Sequence, residues 1–351
     1  MRFADVIGNA EVAKALVSMA DSGRVAHAML MYENEGCGAL ALALAYVQYL
    51  NCAHPVNGDS CGECPSCRQM SKLIHPDVHY VFPVNKGPKT SDDKPTSESY
   101  IKYWRELALA NPYFTEADHQ RAIGIESKTG LIAVAEAKFI INTLSLTSVA
   151  DGYKAVILYL PEKMNQETAN RLLKMVEEPP EKTLFIFITH SPEKVLQTIF
   201  SRCQSVRVMP LTKEEAAEVK ALNPFDDSEE YDRFMDLFAD LMRAVVSGDL
   251  QGALECGEMA AALESREKQK AFCTFAGQCI RKIFMIQQDM RHLVAVSQSE
   301  NDFYEDVSAK VAKTFCSRTI TNIEKAVALI DRNVNSKIVF CDLVNRMFLS
   351  V

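Results

Sequence analysis

No run of the 351-residue sequence reaches the roughly 18 consecutive apolar residues that a membrane-spanning helix requires. The first residues, MRFADVIGNAEVAKALVSMA, lack the long apolar core of a secretion signal, so the expected compartment is the cytoplasm and no membrane partner is expected. Positive charge is also short. Lys and Arg number 38 against 46 Asp and Glu, a formal net charge of -8. The chain as a whole is therefore not an electrostatic DNA binder, and contact with nucleic acid would need a local basic patch or a partner. Tryptophan occurs once, at Trp104, and no internal repeat runs through the chain. The 11 cysteines are an odd number. Most sit at isolated positions, which fits a reducing compartment with one metal site better than a disulfide framework.

What is present is ordinary for a soluble globular protein: 48% hydrophobic and 24% charged residues, in a chain long enough for two or three domains. DVIGNAEVAKALVSMADSGR has helix-spaced apolar residues ending at Gly23, AHAMLMY is a short apolar run of strand length, and GALALALAYVQYL reads as a helix buried on several sides. Residues 51–70 are turn-rich and hold four cysteines. Residues 85–99, NKGPKTSDDKPTSES, are polar and read as an exposed, mobile loop. Helical pattern resumes over 100–121 and again in LIAVAEAKFIINTLSL. KAVILYL and LFIFITH read as buried strands and SVRVMPL as a short final one. Between them, NQETANRLLKMVEE is a helix capped by Asn165 and stopped by Pro179 and Pro180.

Strands separated by helices imply an α/β fold with a parallel sheet covered on both faces. From Leu211 onward strand signals vanish and the chain reads as helical, with an acidic break at NPFDDSEE. The expected division is an α/β domain over 1–209 with a cysteine module at 51–70 and an insertion at 85–121. A small helical domain over 210–250 and a helical bundle over 251–351 follow.

The cysteine segment is CAHPVNGDSCGECPSC, with Cys52, Cys61, Cys64 and Cys67 as two overlapping C-x-x-C turns plus one more distant thiol. Four thiolates suit tetrahedral Zn²⁺ and leave no open coordination position, so the expectation is a structural zinc site. Four free thiols, a redox C-x-x-C pair or an iron–sulfur cluster are the alternatives for the same residues. His54 is a stray imidazole beside an already complete set.

YENEGCGALALALA has the outline of a phosphate-cradling turn running into a helix. A working loop reads G-x-x-x-x-G-K-[ST]. Here Glu33 occupies the first glycine position, Gly36 and Gly38 keep the turn, and Ala39 and Leu40 stand where lysine and a hydroxyl are needed. A second strand that would end in Mg²⁺-binding acids ends instead in Tyr159 and Leu160, with Glu162 and Lys163 two residues late. Thr189 ends the LFIFITH strand where a phosphate-sensing polar group would stand. No ATP binding and no hydrolysis are expected.

HAMLMYENEGCG, the four-cysteine insert, HPD at 75–77, NQETANRLLKMVEEPP and SRC at 201–203 appear in order. Together they resemble the delta-prime subunits of the bacterial DNA polymerase III clamp loader, within the AAA+ superfamily. The likeness covers most of residues 1–209; in the helical region it is only a matching pattern, and residues 85–121 look like an insertion. The resemblance implies an AAA+ fold followed by a helical lid and a C-terminal oligomerisation collar. It implies a non-catalytic stator, an accessory subunit of a polymerase holoenzyme rather than an enzyme. Such a stator assembles with ATP-hydrolysing loader subunits and a delta subunit, and acts on the sliding clamp and primed DNA through the complex.

Arg202 carries the chemistry that this resemblance implies. On the tripeptide alone, a surface salt bridge and a phosphate-reaching guanidinium are equally open. Within the family pattern Arg202, with Ser201 and Cys203, becomes an arginine finger offered in trans to a neighbour's γ-phosphate. Ser201 is expected to orient the turn and Cys203 to be a small buried residue. Two other classes compete with the stator: a self-sufficient ATPase with unusual motifs, which would bind ATP alone, and a zinc-dependent nucleic-acid-binding module, which would bind DNA with steep salt dependence.

Overall fold

A computed structural model describes residues 1–126, 128–145, 152–224, 228–291, 294 and 298–351. Part of the acidic break expected at NPFDDSEE lies outside the described residues. The chain forms two compact units, Met1–Phe225 and Asp226–Val351.

The first unit is built on five parallel strands: β1 (Ala28–Tyr32), β2 (Val78–Val81), β3 (Lys154–Tyr159), β4 (Thr183–Thr189) and β5 (Gln204–Arg207). Their order is β2-β3-β4-β1-β5. β1 therefore lies between β4 and β5, with Tyr32 opposite Thr189 on one side and Arg207 on the other. The pleat sorts side chains into two layers. Leu184, Ile186 and Ile188 of β4 join Met29, Met31, Ile157 and Tyr159 in one apolar layer. Phe185 and Phe187 join Leu30, Val156 and Leu158 in the other. Helices cover both layers, which is why β1, β3 and β4 read as nearly continuous apolar runs.

α1 (Ala10–Asp21) follows a 3₁₀ turn at Phe3–Asp5 and starts later than its periodicity suggested. α2 (Ala39–Leu50) is buried at every position from Ala39 to Tyr49. Its length and its lack of a polar face fit a helix enclosed by the sheet, the cysteine module and the N-terminal segment. α3 (Pro65–Met70) closes the cysteine module. α6 (Val134–Leu144) and α7 (Gln166–Glu177) pack together on the second layer, and Asn165 Oδ1 caps α7 by accepting the N–H of Thr168 at 2.7 Å. The short α8 (Gln197–Phe200) leads to β5, and α9 (Lys213–Ala221) ends the unit.

Two elements differ from expectation. β2 gives little sequence signal because it has four residues, contains His79, and lies between Pro76 and Pro83. The loop expected over 85–99 ends at Thr96, because Ser97 begins α4 (Ser97–Ala110). It is tied down by its own contacts: the Tyr100 hydroxyl accepts the N–H of Gly87 at 3.0 Å, and Lys86 pairs with Asp93. α4 and α5 (Glu116–Ile123) make the rest of the insertion a packed pair of helices. Trp104 of α4 is buried and stacks on Phe82, with ring centroids 5.2 Å apart and an interplanar angle of 5°. The insertion thus roofs the sheet with an aromatic cluster worth more than its area alone.

The second unit is entirely helical among its described residues: α10 (Ser228–Ser247), α11 (Leu250–Ala261), α12 (Arg266–Gln287), α13 (Gln298–Lys310), α14 (Phe315–Asp331) and α15 (Ser336–Phe348). One core, including Phe238, Met242, Ile280, Phe315 and Phe340, is shared by α10, α12, α14 and α15.

Candidate functional site

The C-terminal ends of β1, β3 and β4 meet at the glycine turn. Gly36 and Gly38 have φ of +80° and +103°, a left-handed backbone that favours glycine. Gly38 precedes α2, whose first N–H groups have no intrahelical partner and form an anion site by construction. That site is filled from within. Oε2 of Glu33 accepts the N–H of Ala39 at 2.7 Å, and Glu33 is 8% exposed. The next acidic residue does the same for a second helix: Glu35 accepts the N–H of Glu116, the first residue of α5.

His190, just past β4, faces both carboxylates, with Nε2 3.5 Å from Glu33 and Nδ1 3.8 Å from Glu35. Burial alone would lower its pKa; the close contact with Glu33 and the charges of Glu35, Glu33 and Glu162 outweigh burial and raise it. Burial in turn raises the pKa of Glu35 against the opposing pull of His190. Thr189 donates its hydroxyl to Glu162 at 2.8 Å, so the strand-end hydroxyl is engaged by a carboxylate of this chain.

Tyr159 is fully buried, and among the described residues its hydroxyl has no hydrogen-bond partner. Leu160 adopts a left-handed backbone with φ of +58°, an uncommon conformation for a non-glycine residue. Neither could ligate Mg²⁺ in place of an acid. Glu162 turns back to Thr189 and the N–H of His190, and Lys163 pairs with Glu116 of the insertion at 2.8 Å.

Tyr113 has a part that sequence reasoning missed. It is 3% exposed and lies on the glycine turn. A Cβ added to Gly38 would come within 2.6 Å of its ring, and one added to Gly36 within 3.3 Å of its carbonyl oxygen. Its hydroxyl accepts the N–H of Ile7 at 2.6 Å and donates to the carbonyl of Ile7 at 3.3 Å. Tyr113 is 106 residues from Ile7 in the chain and lies in the turn between α4 and α5, so no local signal marks the contact.

SRC lies at the end of α8. Arg202 is surface-exposed and engaged within the chain: it pairs with Glu177, the last residue of α7, and donates to the carbonyl of Thr198 at 2.8 Å and the hydroxyl of Ser201 at 3.3 Å. Ser201 thus helps fix the guanidinium. Cys203 is half-buried rather than buried, packed at the margin of the second apolar layer, and burial pushes its thiol up to about 12.

The cysteine module brings its four thiols together. The Sγ atoms of Cys52, Cys61, Cys64 and Cys67 all lie within 4.8 Å of one another, and those of Cys61 and Cys67 are 3.9 Å apart. Tetrahedral Zn–S bonds of about 2.3 Å place sulfurs about 3.8 Å apart, so the set fits the ion. Three N–H groups point at sulfur: Cys61 to Cys52 at 3.2 Å, Cys64 to Cys61 at 3.4 Å and Cys67 to Cys64 at 3.4 Å. These bonds favour the thiolates of Cys61 and Cys64, whereas burial raises the pKa of Cys52 and Cys67. The N–H groups of Glu63 and Cys64 bring the Cys61 thiol down to about 6. His54 is exposed and outside the set. His75 is buried, with Nδ1 accepting the N–H of Asp77 at 3.2 Å, an arrangement that orders the turn into β2.

Among the described residues no helix is long and apolar enough to cross a membrane.

The chain is 32% identical to the DNA polymerase III subunit delta' of Yersinia pestis over 190 residues, 54% of this chain and 44% of that protein. It is 30% identical to the subunit of the same name from Escherichia coli over 189 residues, 54% of this chain and 44% of the relative. It is also 30% identical to the DNA polymerase III subunit gamma/tau of Mycobacterium bovis over 200 residues, 57% of this chain and 27% of the relative. In each case the matched segment spans less than half of the relative's length. Residues 8–212, more than half of the chain, match the family described as DNA polymerase III, delta subunit, and the chain belongs to that family.

Proposed function

We propose that the chain is a non-catalytic, stator-type subunit of a bacterial DNA polymerase III clamp loader. It works in the cytoplasm, binds no ATP of its own, and offers Arg202 to the ATP held by a neighbouring subunit. The observation that carries this reading is the self-filled anion site: the carboxylate of Glu33 sits on the N–H of Ala39, where a bound phosphate would otherwise accept. A triphosphate would have to displace a buried carboxylate and would find no lysine at 39, no hydroxyl at 40 and no acids at 159 and 160.

Arg202 suits the role because its present partner is weak. A partly exposed ion pair such as Arg202–Glu177, with side chains 35% and 43% exposed, contributes about 0–1 kcal/mol. A γ-phosphate offers two charge-assisted bonds to one guanidinium and would outcompete a single surface carboxylate. Glu177 then acts as a resting partner that keeps the guanidinium extended from the end of α8. Zinc would be a structural staple of residues 52–67, supplying four thiolate bonds and no reactive position.

The three-part division into 1–209, a lid at 210–250 and a collar at 251–351 is part of this proposal, with the collar helices holding the ring of related ATPases and a delta subunit together. The sliding clamp and primed DNA are met through that assembly. Affinity capture of the full chain from its own cells, with partners identified by mass, tests the assignment. Loader ATPase subunits and the clamp are expected; recovery of the chain without either would overturn it.

A further inference from the structure

We propose that the groove between α14 and α15 of the C-terminal unit is a phosphate-backbone site for duplex nucleic acid, held by charge and indifferent to base sequence.

The chain as a whole is acidic, with 46 Asp and Glu against 38 Lys and Arg, but residues 312–351 reverse the balance. They hold six Lys and Arg against three Asp and Glu. Arg318 and Lys325 of α14 and Arg332, directly after it, recur every seven residues. That spacing is close to two helical turns, so the three cations stand in a row about 21 Å long on one side of the helix. All three are exposed, and among the described residues none has a side-chain partner. The three acids leave the row uncompensated. Asp331 pairs with Lys270 of α12 at 3.0 Å, Asp342 pairs with Arg346 of α15, and Glu324 lies outside the groove.

The row borders two adjoining cavities. The larger, about 540 Å³, is lined by Arg318, Lys325 and Arg346 together with Ser317, Thr321 and Asn322. No acid and no aromatic ring lines it among the described residues. The hydroxyls of Ser317 and Thr321 turn back to the carbonyls of Thr314 and Ser317, at 3.0 Å and 3.1 Å. The cations and the Asn322 amide are therefore left as its donors. The smaller, about 300 Å³, shares Asn322, Lys325 and Arg346 and continues to Arg332 over Leu329 and Leu343.

These features select the ligand. Unpaired Arg and Lys with a polar amide are the side chains that hold phosphate oxygens, and two or three guanidinium groups can each take two of them. A row of about 21 Å is longer than a single phosphate group and follows several along a strand. A single strand would want rings on which to stack its bases, and the larger cavity offers none. An acidic helix would want apolar anchors at helical spacing, and Leu349 is the one apolar side chain lining that cavity. A duplex, which shows phosphates and hides its bases, meets the groove as it stands. The acidic first unit gives no such patch a second time in α9, where Lys213 and Lys220 are outnumbered by Glu214, Glu215 and Glu218.

The test uses the full chain and a short labelled duplex, read by fluorescence anisotropy at low salt. Binding is expected, and log affinity should fall with log salt at a slope of about −3 to −4, for three or four phosphates neutralised. Arg318→Ala with Lys325→Ala should weaken binding at least about tenfold at low salt and make the slope shallower by about 2. Both side chains are exposed and unpaired, so its melting temperature should match that of the native chain. Lys325→Ala alone, expected to make the slope shallower by about 1, serves should the double variant melt early. Lys213→Ala with Lys220→Ala removes the same charge from the first unit and should bind as the native chain does. No binding by the native chain, native binding by the α14 variants, or equal loss in the α9 control would each overturn the proposal. So would tighter binding of a single strand, or displacement of the duplex by polyglutamate as readily as by unlabelled duplex.

Discussion

The Glu33 carboxylate lies 2.7 Å from the backbone nitrogen of Ala39, so the first turn of α2 is capped by an acid from the junction that follows β1. A charged acceptor on buried N–H groups at a helix start contributes about 1.5–3 kcal/mol. Glu33→Ala is expected to lower the free energy of unfolding by that amount in urea, and Glu33→Gln by less. An unchanged midpoint for Glu33→Ala would show that the contact is incidental.

Gly38 answers to two constraints at once, its φ of +103° and the Tyr113 ring. Gly38→Ala is expected to cost about 1–3 kcal/mol from backbone strain alone, and more from the clash. The cost should shrink when Tyr113→Ala is present, because only the clash is relieved. Equal costs in both backgrounds, measured as a double-mutant cycle, would mean that the ring exerts no pressure on the turn.

Much of this arrangement could be read from the sequence, because strong local patterns carry it. The apolar runs of β1, β3 and β4 announce a sheet buried on both faces, and the spacing of Cys52, Cys61, Cys64 and Cys67 announces a tetrahedral thiolate set. Gly36 and Gly38 mark the turn between β1 and α2 by position alone. The rest depends on contacts between distant residues. Tyr113 meets Ile7 across 106 positions, and Glu177 meets Arg202 across 25. β2 takes its place from pairing with β3, since its four residues between two prolines carry too little pattern.

His190 sets a pH dependence. Its pKa is raised in the folded chain from an ordinary value of 6.5, because Glu33, Glu35 and Glu162 outweigh its burial. Between 6.5 and the raised value the folded state holds a proton that the unfolded state has lost. The stabilisation is complete below the unfolded value and disappears as pH rises through the folded one. The melting temperature is therefore expected to fall from mildly acidic to mildly alkaline pH, with a smaller fall in His190→Gln. The same slope in both proteins would assign the effect elsewhere.

The cysteine module predicts stoichiometric zinc by elemental analysis of the purified chain. Removal by a chelator, or Cys64→Ser, is expected to lower the melting temperature and loosen residues 52–70 to proteolysis while leaving the C-terminal unit protected. Metal-free protein with unaltered stability would contradict a structural role.

The central claim is that the chain acts on its neighbour's nucleotide through Arg202. The direct measurement is the clamp- and DNA-stimulated ATPase rate of a loader rebuilt with Arg202→Ala, beside one rebuilt with Glu177→Gln. Loss of an arginine finger is expected to slow hydrolysis at the site it completes by on the order of 10³-fold. The isolated variant should lose no more than about 1 kcal/mol of stability, and Glu177→Gln, which removes only the resting ion pair, should keep the native rate. A loader carrying Arg202→Ala that assembles and hydrolyses ATP at the native rate would contradict the account.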